Sequence, residues 1–225
     1  MKKLIVLIMG MILLNAAPML AGEILPWGKI PKEAGQLIHV QTPSSKSIQG
    51  KLVYYARKGP NWEAVGEIIP IVVGENGIAK PEIKKEGDGK TPSGLYRIGM
   101  AFGYHETAKT NLKYYKVSRE DLWIDDVAFP DYNRMVKAPT RAKSFEIMRR
   151  DDDAYKLGMV IEYNTNPIVA GKGSAIFMHL WSGPTKPTAG CVAMSEENIT
   201  LLLGWLDKNK KPSILIETDG NQIPK

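Results

Sequence analysis

The chain has 225 residues, 44% of them hydrophobic and 24% charged, with a formal charge of +6 and a single cysteine. That composition belongs to a folded globular protein, not to a disordered or fibrous one, and the length suits one domain or one domain with an N-terminal appendage. The lysines are scattered, so the mild basic excess argues against a nucleic-acid partner and is compatible with an anionic wall polymer or membrane surface.

Lys2 and Lys3 precede an apolar run from Leu4 to Leu14, and Ala21 closes a plausible cleavage site. This is the pattern of a secretory signal peptide, and the run is short for a membrane span. Residues 1–21 are therefore expected to be removed on export across the inner membrane, which places the protein in the periplasm or cell wall. Residues 22–35, with Pro26, Gly28, Pro31 and Gly35, read as an extended leader, and residues 36–225 as the folded domain.

From there short β-type runs rich in Val, Ile, Leu and Tyr dominate. Gln36 to Thr42 and Lys51 to Arg57 are the first two. Ala64 to Val73 is interrupted by Pro70, which predicts an edge position or a break. Ser118-Arg-Glu-Asp121 resembles a capping box and predicts the start of a short helix. Phe145 to Arg149, Gly158 to Tyr163, Ala175 to Trp181 and Ile214 to Thr218 read as further strands. Gly87 to Gly94 reads as loop and turn, Gly171-Lys-Gly-Ser174 as a hairpin turn, and Asp151-Asp-Asp153 as solvated loop charges.

One segment is clearly helical. Ser195 is a suitable cap, Glu196 and Glu197 suit the positive end of the dipole, and Ile199, Leu202, Leu203 and Leu206 fall on one face. Lys208, Lys210 and Lys211 are expected at its C-terminal end, with Pro212 as the stop. Many short strands with one good helix indicate a mainly β domain.

The chemistry concentrates around Cys191. An exported protein with one cysteine has no intramolecular disulfide partner for it, so the thiol is buried and inert, paired between chains, or kept for reactivity. Strand alternation places Phe177, His179 and Trp181 on one face. The loop with Gly183, Pro184, Pro187 and Gly190 can fold the chain back and bring imidazole and thiol together. Gly190 lets the backbone approach closely and would help present amides to an oxyanion. No zinc-type or calcium-loop spacing is visible, and Gly89-Lys90-Thr91 lacks the earlier glycine of a phosphate-binding loop, since position 84 is Lys84.

His179, then Thr188-Ala-Gly-Cys191, resembles the signature of the L,D-transpeptidase catalytic domain, also called the YkuD type. Gly87-Asp-Gly-Lys-Thr-Pro-Ser-Gly-Leu-Tyr96, Asp131-Tyr-Asn133 and Gly173-Ser-Ala-Ile-Phe177 are similar to further motifs of exported proteins with this domain. The resemblance implies a mainly β, sandwich-like fold with a few short helices, one of them following the cysteine. It implies Cys191 as nucleophile, His179 as base oriented by the Leu180 carbonyl, and Gly190 with the Cys191 amide at the oxyanion site. Trp181 and Thr188 would contact substrate. The implied reaction is acyl transfer on peptidoglycan stem peptides without metal or organic cofactor, and a carbapenem is an implied inhibitor. Two departures stand out. Ala189 replaces a second histidine, and Ala193 replaces a polar residue two places after the cysteine. These keep hydrolysis by the same dyad open, as carboxypeptidase or amidase, beside a non-catalytic wall-binding role. Oligomeric state is not legible.

Overall fold

The computed structural model describes residues 30–219, so the signal-type segment and its cleavage site lie outside it. Among the described residues fifteen strands are formed. The first eight are β1 (Gln36–Thr42), β2 (Gln49–Lys58), β3 (Asn61–Ala64), β4 (Ile69–Val72), β5 (Ile78–Ala79), β6 (Thr91–Pro92), β7 (Gly94–Gly103) and β8 (Tyr114–Lys116). The others are β9 (Asp121–Ile124), β10 (Met135–Lys137), β11 (Phe145–Ile147), β12 (Leu157–Ile161), β13 (Phe177–Leu180), β14 (Val192–Met194) and β15 (Ser213–Thr218). The helix α1 spans Glu196–Trp205.

A ten-stranded sheet runs β1-β15-β7-β12-β13-β14-β4-β2-β3, with β8 added beside β7. β1 also pairs with β2, so the sheet closes on itself and the layers of the sandwich are walls of one continuous sheet. Closure leaves few unpaired backbone edges. The interior holds Ile38, Val40, Leu52, Ile71, Met178 and Ile216 in one cluster. Ile199, Leu202, Leu203 and Leu206 of the helix segment join that cluster, so the helix is held by its apolar face. Each such side chain contributes about 1.5–3 kcal/mol on full burial.

A smaller sheet, β10-β9-β11, covers part of the outer face. Between the two sheets lies a second cluster with Phe102, Trp123, Met148, Tyr155, Phe177 and Cys191. Trp123, Phe102 and Tyr155 meet Phe177 edge-on at 5.0, 5.3 and 5.5 Å between ring centroids.

Several expectations change. Ser118 starts a turn into strand β9 rather than a helix: Asp121 Oδ2 accepts from the Ser118 amide at 2.7 Å and hydroxyl at 2.8 Å. The cap-like bonds form, but the following Leu122, Trp123 and Ile124 are buried in a strand. The helix ends at Trp205, and Lys208–Lys210 form a separate 3-10 turn capped by Asp207. Pro70 sits inside the sheet, not at an edge, but the run is broken, as the alternative had it, between Ala64 of β3 and Ile69 of β4. β4 pairs with β14 only at Val72–Ala193, so the amide that proline lacks is not needed on that side. Gly171 to Ser174 lies in a long excursion between β12 and β13, not a tight hairpin. The glycine-interrupted β7 carries no clear alternation and is found only in the structure.

Candidate active site

β13 and β14 are parallel neighbours, with Met178, His179 and Leu180 beside Val192, Ala193 and Met194. Extending this register one residue places Cys191 beside Phe177. Alternation then puts Cys191, Phe177 and His179 on the outer face, while Met178 enters the interior cluster. Strand pairing thus brings thiol and imidazole together, although they stand on two sides of a long loop.

The loop is held at several points. Thr188 Oγ1 donates to the Cys191 carbonyl at 2.7 Å and accepts from the Gly190 amide at 3.1 Å. Thr188 therefore shapes the cysteine turn from within, and its hydroxyl is engaged there rather than free for substrate. The Gly190 amide is likewise engaged by Thr188. Gly190 has φ +150°, and a Cβ there would come within 3.0 Å of the Lys90 carbonyl, so glycine is required. Thr91 adds a second hydroxyl to the Cys191 carbonyl at 3.2 Å and accepts from the Gly74 amide at 2.9 Å. The Gly87–Gly94 run is thus a support behind the cysteine.

Cys191 is 7% exposed and His179 8%. The thiol donates to the Ala175 carbonyl and accepts from the Phe177 amide, both at 3.3 Å. Among the described residues no hydrogen bond joins it to His179. Ala175 holds φ +53°, an uncommon conformation for a residue with a side chain. Asn133 secures it. Its Oδ1 accepts from the Ala175 amide at 3.1 Å and from Trp123 Nε1 at 2.9 Å, while Nδ2 donates to the carbonyls of Tyr163 and Asn164. Tyr132 Oη accepts from the Gly173 amide at 3.0 Å and donates to Glu86. The Asp131–Asn133 and Gly173–Phe177 motifs are therefore two halves of one clamp.

His179 Nδ1 lies 2.7 Å from the Leu180 carbonyl. A carbonyl only accepts, so Nδ1 carries the proton and Nε2 keeps its lone pair. Burial pushes the imidazole down to about 4, against the opposing pull of the Leu180 carbonyl. Burial pushes the Cys191 thiol up to about 12, opposed by the Phe177 amide. Both shifts favour the neutral forms of the pair. The helix dipole does not alter this: three residues of β14 separate Cys191 from Ser195, and such effects fade within a turn.

The cleft around these groups measures about 360 Å³ and is lined by His179, Cys191, Gly190, Thr188 and Trp181, so all five residues singled out in the sequence meet there. Its other wall carries residues that no motif signals. Arg150 donates to both oxygens of Asp152 at 2.9 and 2.7 Å and to Glu146 at 3.2 Å. Its guanidinium lies over Tyr155, whose ring meets His179 edge-on at 5.3 Å. Asp152 is exposed, as expected of a loop charge, and is also paired: Arg150 holds its carboxyl down to about 2. Among the described residues no group of three or more His, Cys, Asp or Glu is placed to hold a metal ion.

A buried cysteine and histidine thus meet in one cleft on a closed, mainly β sheet. The family model of the L,D-transpeptidase catalytic domain (YkuD) matches residues 36–215, and the chain belongs to that family. No curated protein matches it significantly. Similar solved structures include Bd1075 of Bdellovibrio bacteriovorus, at 16% identity and TM-score 0.45, covering 81% of this chain and 48% of that one. Another is the helical cell shape determining protein Pgp2 of Campylobacter jejuni, at 18% identity and TM-score 0.44, with the same coverages. The chain spans about half the length of these two proteins.

Proposed function

We propose that this protein is an exported L,D-transpeptidase-type acyltransferase acting on peptidoglycan stem peptides in the periplasm or cell wall. The observation that carries the reading is the tautomer of His179: its unprotonated Nε2 shares a cleft with the only cysteine. As Cys191 Sγ attacks a stem-peptide carbonyl, Nε2 takes the thiol proton and a carbon–sulfur bond forms. The carbonyl oxygen gains negative charge and draws on backbone amides at the Gly190–Cys191 turn, the Gly190 amide being released by Thr188 for this step. The carbon–nitrogen bond then breaks, the imidazolium returns its proton to the leaving amine, and a thioester remains. An acceptor amine resolves it in transpeptidation, and water resolves it in carboxypeptidase or amidase action.

Because both groups start neutral, the proton moves with the attack rather than before it. Trp181 forms part of the cleft wall and would pack on the peptide. A carbapenem would acylate Cys191 by the same route. The test is incubation of the full protein with purified muropeptides, read by mass spectrometry. Cross-linked products support transpeptidation, and shortened stems support hydrolysis. Unchanged muropeptides would overturn both and favour a wall-binding role.

A further inference from the structure

A second cleft, of about 520 Å³, lies away from Cys191. Its rim carries four exposed cations, Arg97, Lys113, Lys208 and Lys211, against one carboxylate, Glu162. None of the four makes a side-chain ion pair among the described residues. Its floor is apolar, with Ile98, Leu112, Val160 and the edge of Trp123.

The cations are set by the backbone rather than hung on a tail. The lysine run that the sequence placed at a helix end is folded into the 3-10 turn instead. Asp207 caps that turn through the Asn209 amide at 2.9 Å, and Lys211 takes φ +46°. The Lys208 amide reaches the Asn111 carbonyl and the Ile98 amide donates to Pro212 at 3.0 Å, so the turn is fixed against β7. Arg97 lies in β7 and Lys113 just before β8, completing the ring of charge from three parts of the chain.

The two clefts differ in charge. Around Cys191, Arg150 and Lys84 are each neutralised by nearby carboxylates. Here the four cations make no side-chain ion pair among the described residues, although Glu162 on the rim and Asp207 beside Lys208 are close in the cleft or the chain. Like charges held together unpaired attract a multivalent anion, and the apolar floor favours one with non-polar faces between its charges. A glycan strand bearing carboxylates has that chemistry: sugar C–H faces for the floor and spaced anions for the rim.

We propose that this cleft binds a carboxylate-bearing glycan strand, holding the wall polymer while the cysteine cleft takes a stem. The choice of glycan rests on the proposed function, whereas the anion site itself does not. The experiment compares the full protein with K208E/K211E and with a charge-matched control, K46E/K80E, remote from the cleft. Co-sedimentation with purified peptidoglycan sacculi at rising salt is measured beside binding to polygalacturonate and to polyphosphate. Turnover of a soluble stem peptide reports the cysteine site, and circular dichroism reports the fold.

The expected result is a loss of about tenfold or more in sacculus and polygalacturonate affinity for K208E/K211E only, with stem-peptide turnover unchanged. Binding should weaken with salt, because the rim is exposed. Equal loss in both variants would show a net-charge effect and overturn the proposal, as would no loss. Loss confined to polyphosphate would overturn the glycan assignment. Failure of the enzymatic reading would appear separately, as a wild type that turns over no stem peptide yet still loses sacculus binding on K208E/K211E.

Discussion

Met178 and His179 are adjacent in sequence and serve opposite faces of one strand. Met178 enters a cluster dominated by aliphatic side chains, where shape largely decides the packing. His179 enters a thinner outer layer with Tyr155 and Cys191, where buried polar atoms must each find a partner. The inner face carries the stability of the closed sheet. The outer face spends some of that stability on a neutral thiol and a neutral imidazole held out of water.

The largest effect should come from deleting the proposed nucleophile on the outer face. Cys191→Ala is expected to abolish acyl transfer and thiol labelling while lowering stability by only about 1 kcal/mol. Muropeptide assays and urea unfolding would check it, and retained turnover would remove Cys191 from the mechanism. Next in size is His179→Gln, expected to slow acyl transfer by about two to four orders of magnitude. Because the thiol is pushed up to about 12, alkylation of Cys191 should rise only at alkaline pH in both forms. Rapid alkylation near neutrality that disappears in the glutamine variant would instead show a standing thiolate–imidazolium pair.

The inner face gives the complementary result. Met178→Ala should destabilise by about 2–5 kcal/mol through the cavity it leaves, with turnover per folded molecule nearly unchanged. A greater than tenfold fall in turnover under folding conditions would mean that the interior also sets the site geometry. The smallest effect is on pH dependence. His179 is lowered from 6.5 to about 4, so the unfolded chain binds the extra proton in that interval and stability should fall as pH drops through it, by at most about 3 kcal/mol. Cys191 is raised from 9.0 to about 12, so the unfolded chain loses its proton first and stability should fall as pH rises above 9. Thermal unfolding against pH should show the acid limb flattened in His179→Gln. An unchanged acid limb would place its origin elsewhere.

Much of this division was legible in the sequence. Alternation from Phe177 to Trp181 sorted the two faces, and the apolar positions of the Ser195 helix identified its buried side. Cys191 and His179 stood out because a lone thiol behind a signal-type N-terminus needs an explanation. The wall of the cleft did not stand out. Arg150, Asp152 and Tyr155 act through contacts set by tertiary packing, and a run of charged residues reads alike whether solvated or paired. Burial also favours the neutral forms of thiol and imidazole, and spacing in sequence carries no measure of desolvation. The capping-box reading at Ser118 failed for a related reason: the local bonds form, but the apolar residues after it pack as a strand.

The parallel pairing of β13 with β14 has one more consequence. The stretch from Trp181 to Gly190 leaves the sheet and re-enters it at points fixed by other strands, and its return leg is pinned by the Gly74–Thr188 bridge. Its middle, Ser182 to Lys186, can therefore change length or composition without displacing Cys191 and His179. Chemistry and selectivity are separable in this architecture: the strands preserve one while the loop is free to diversify the other.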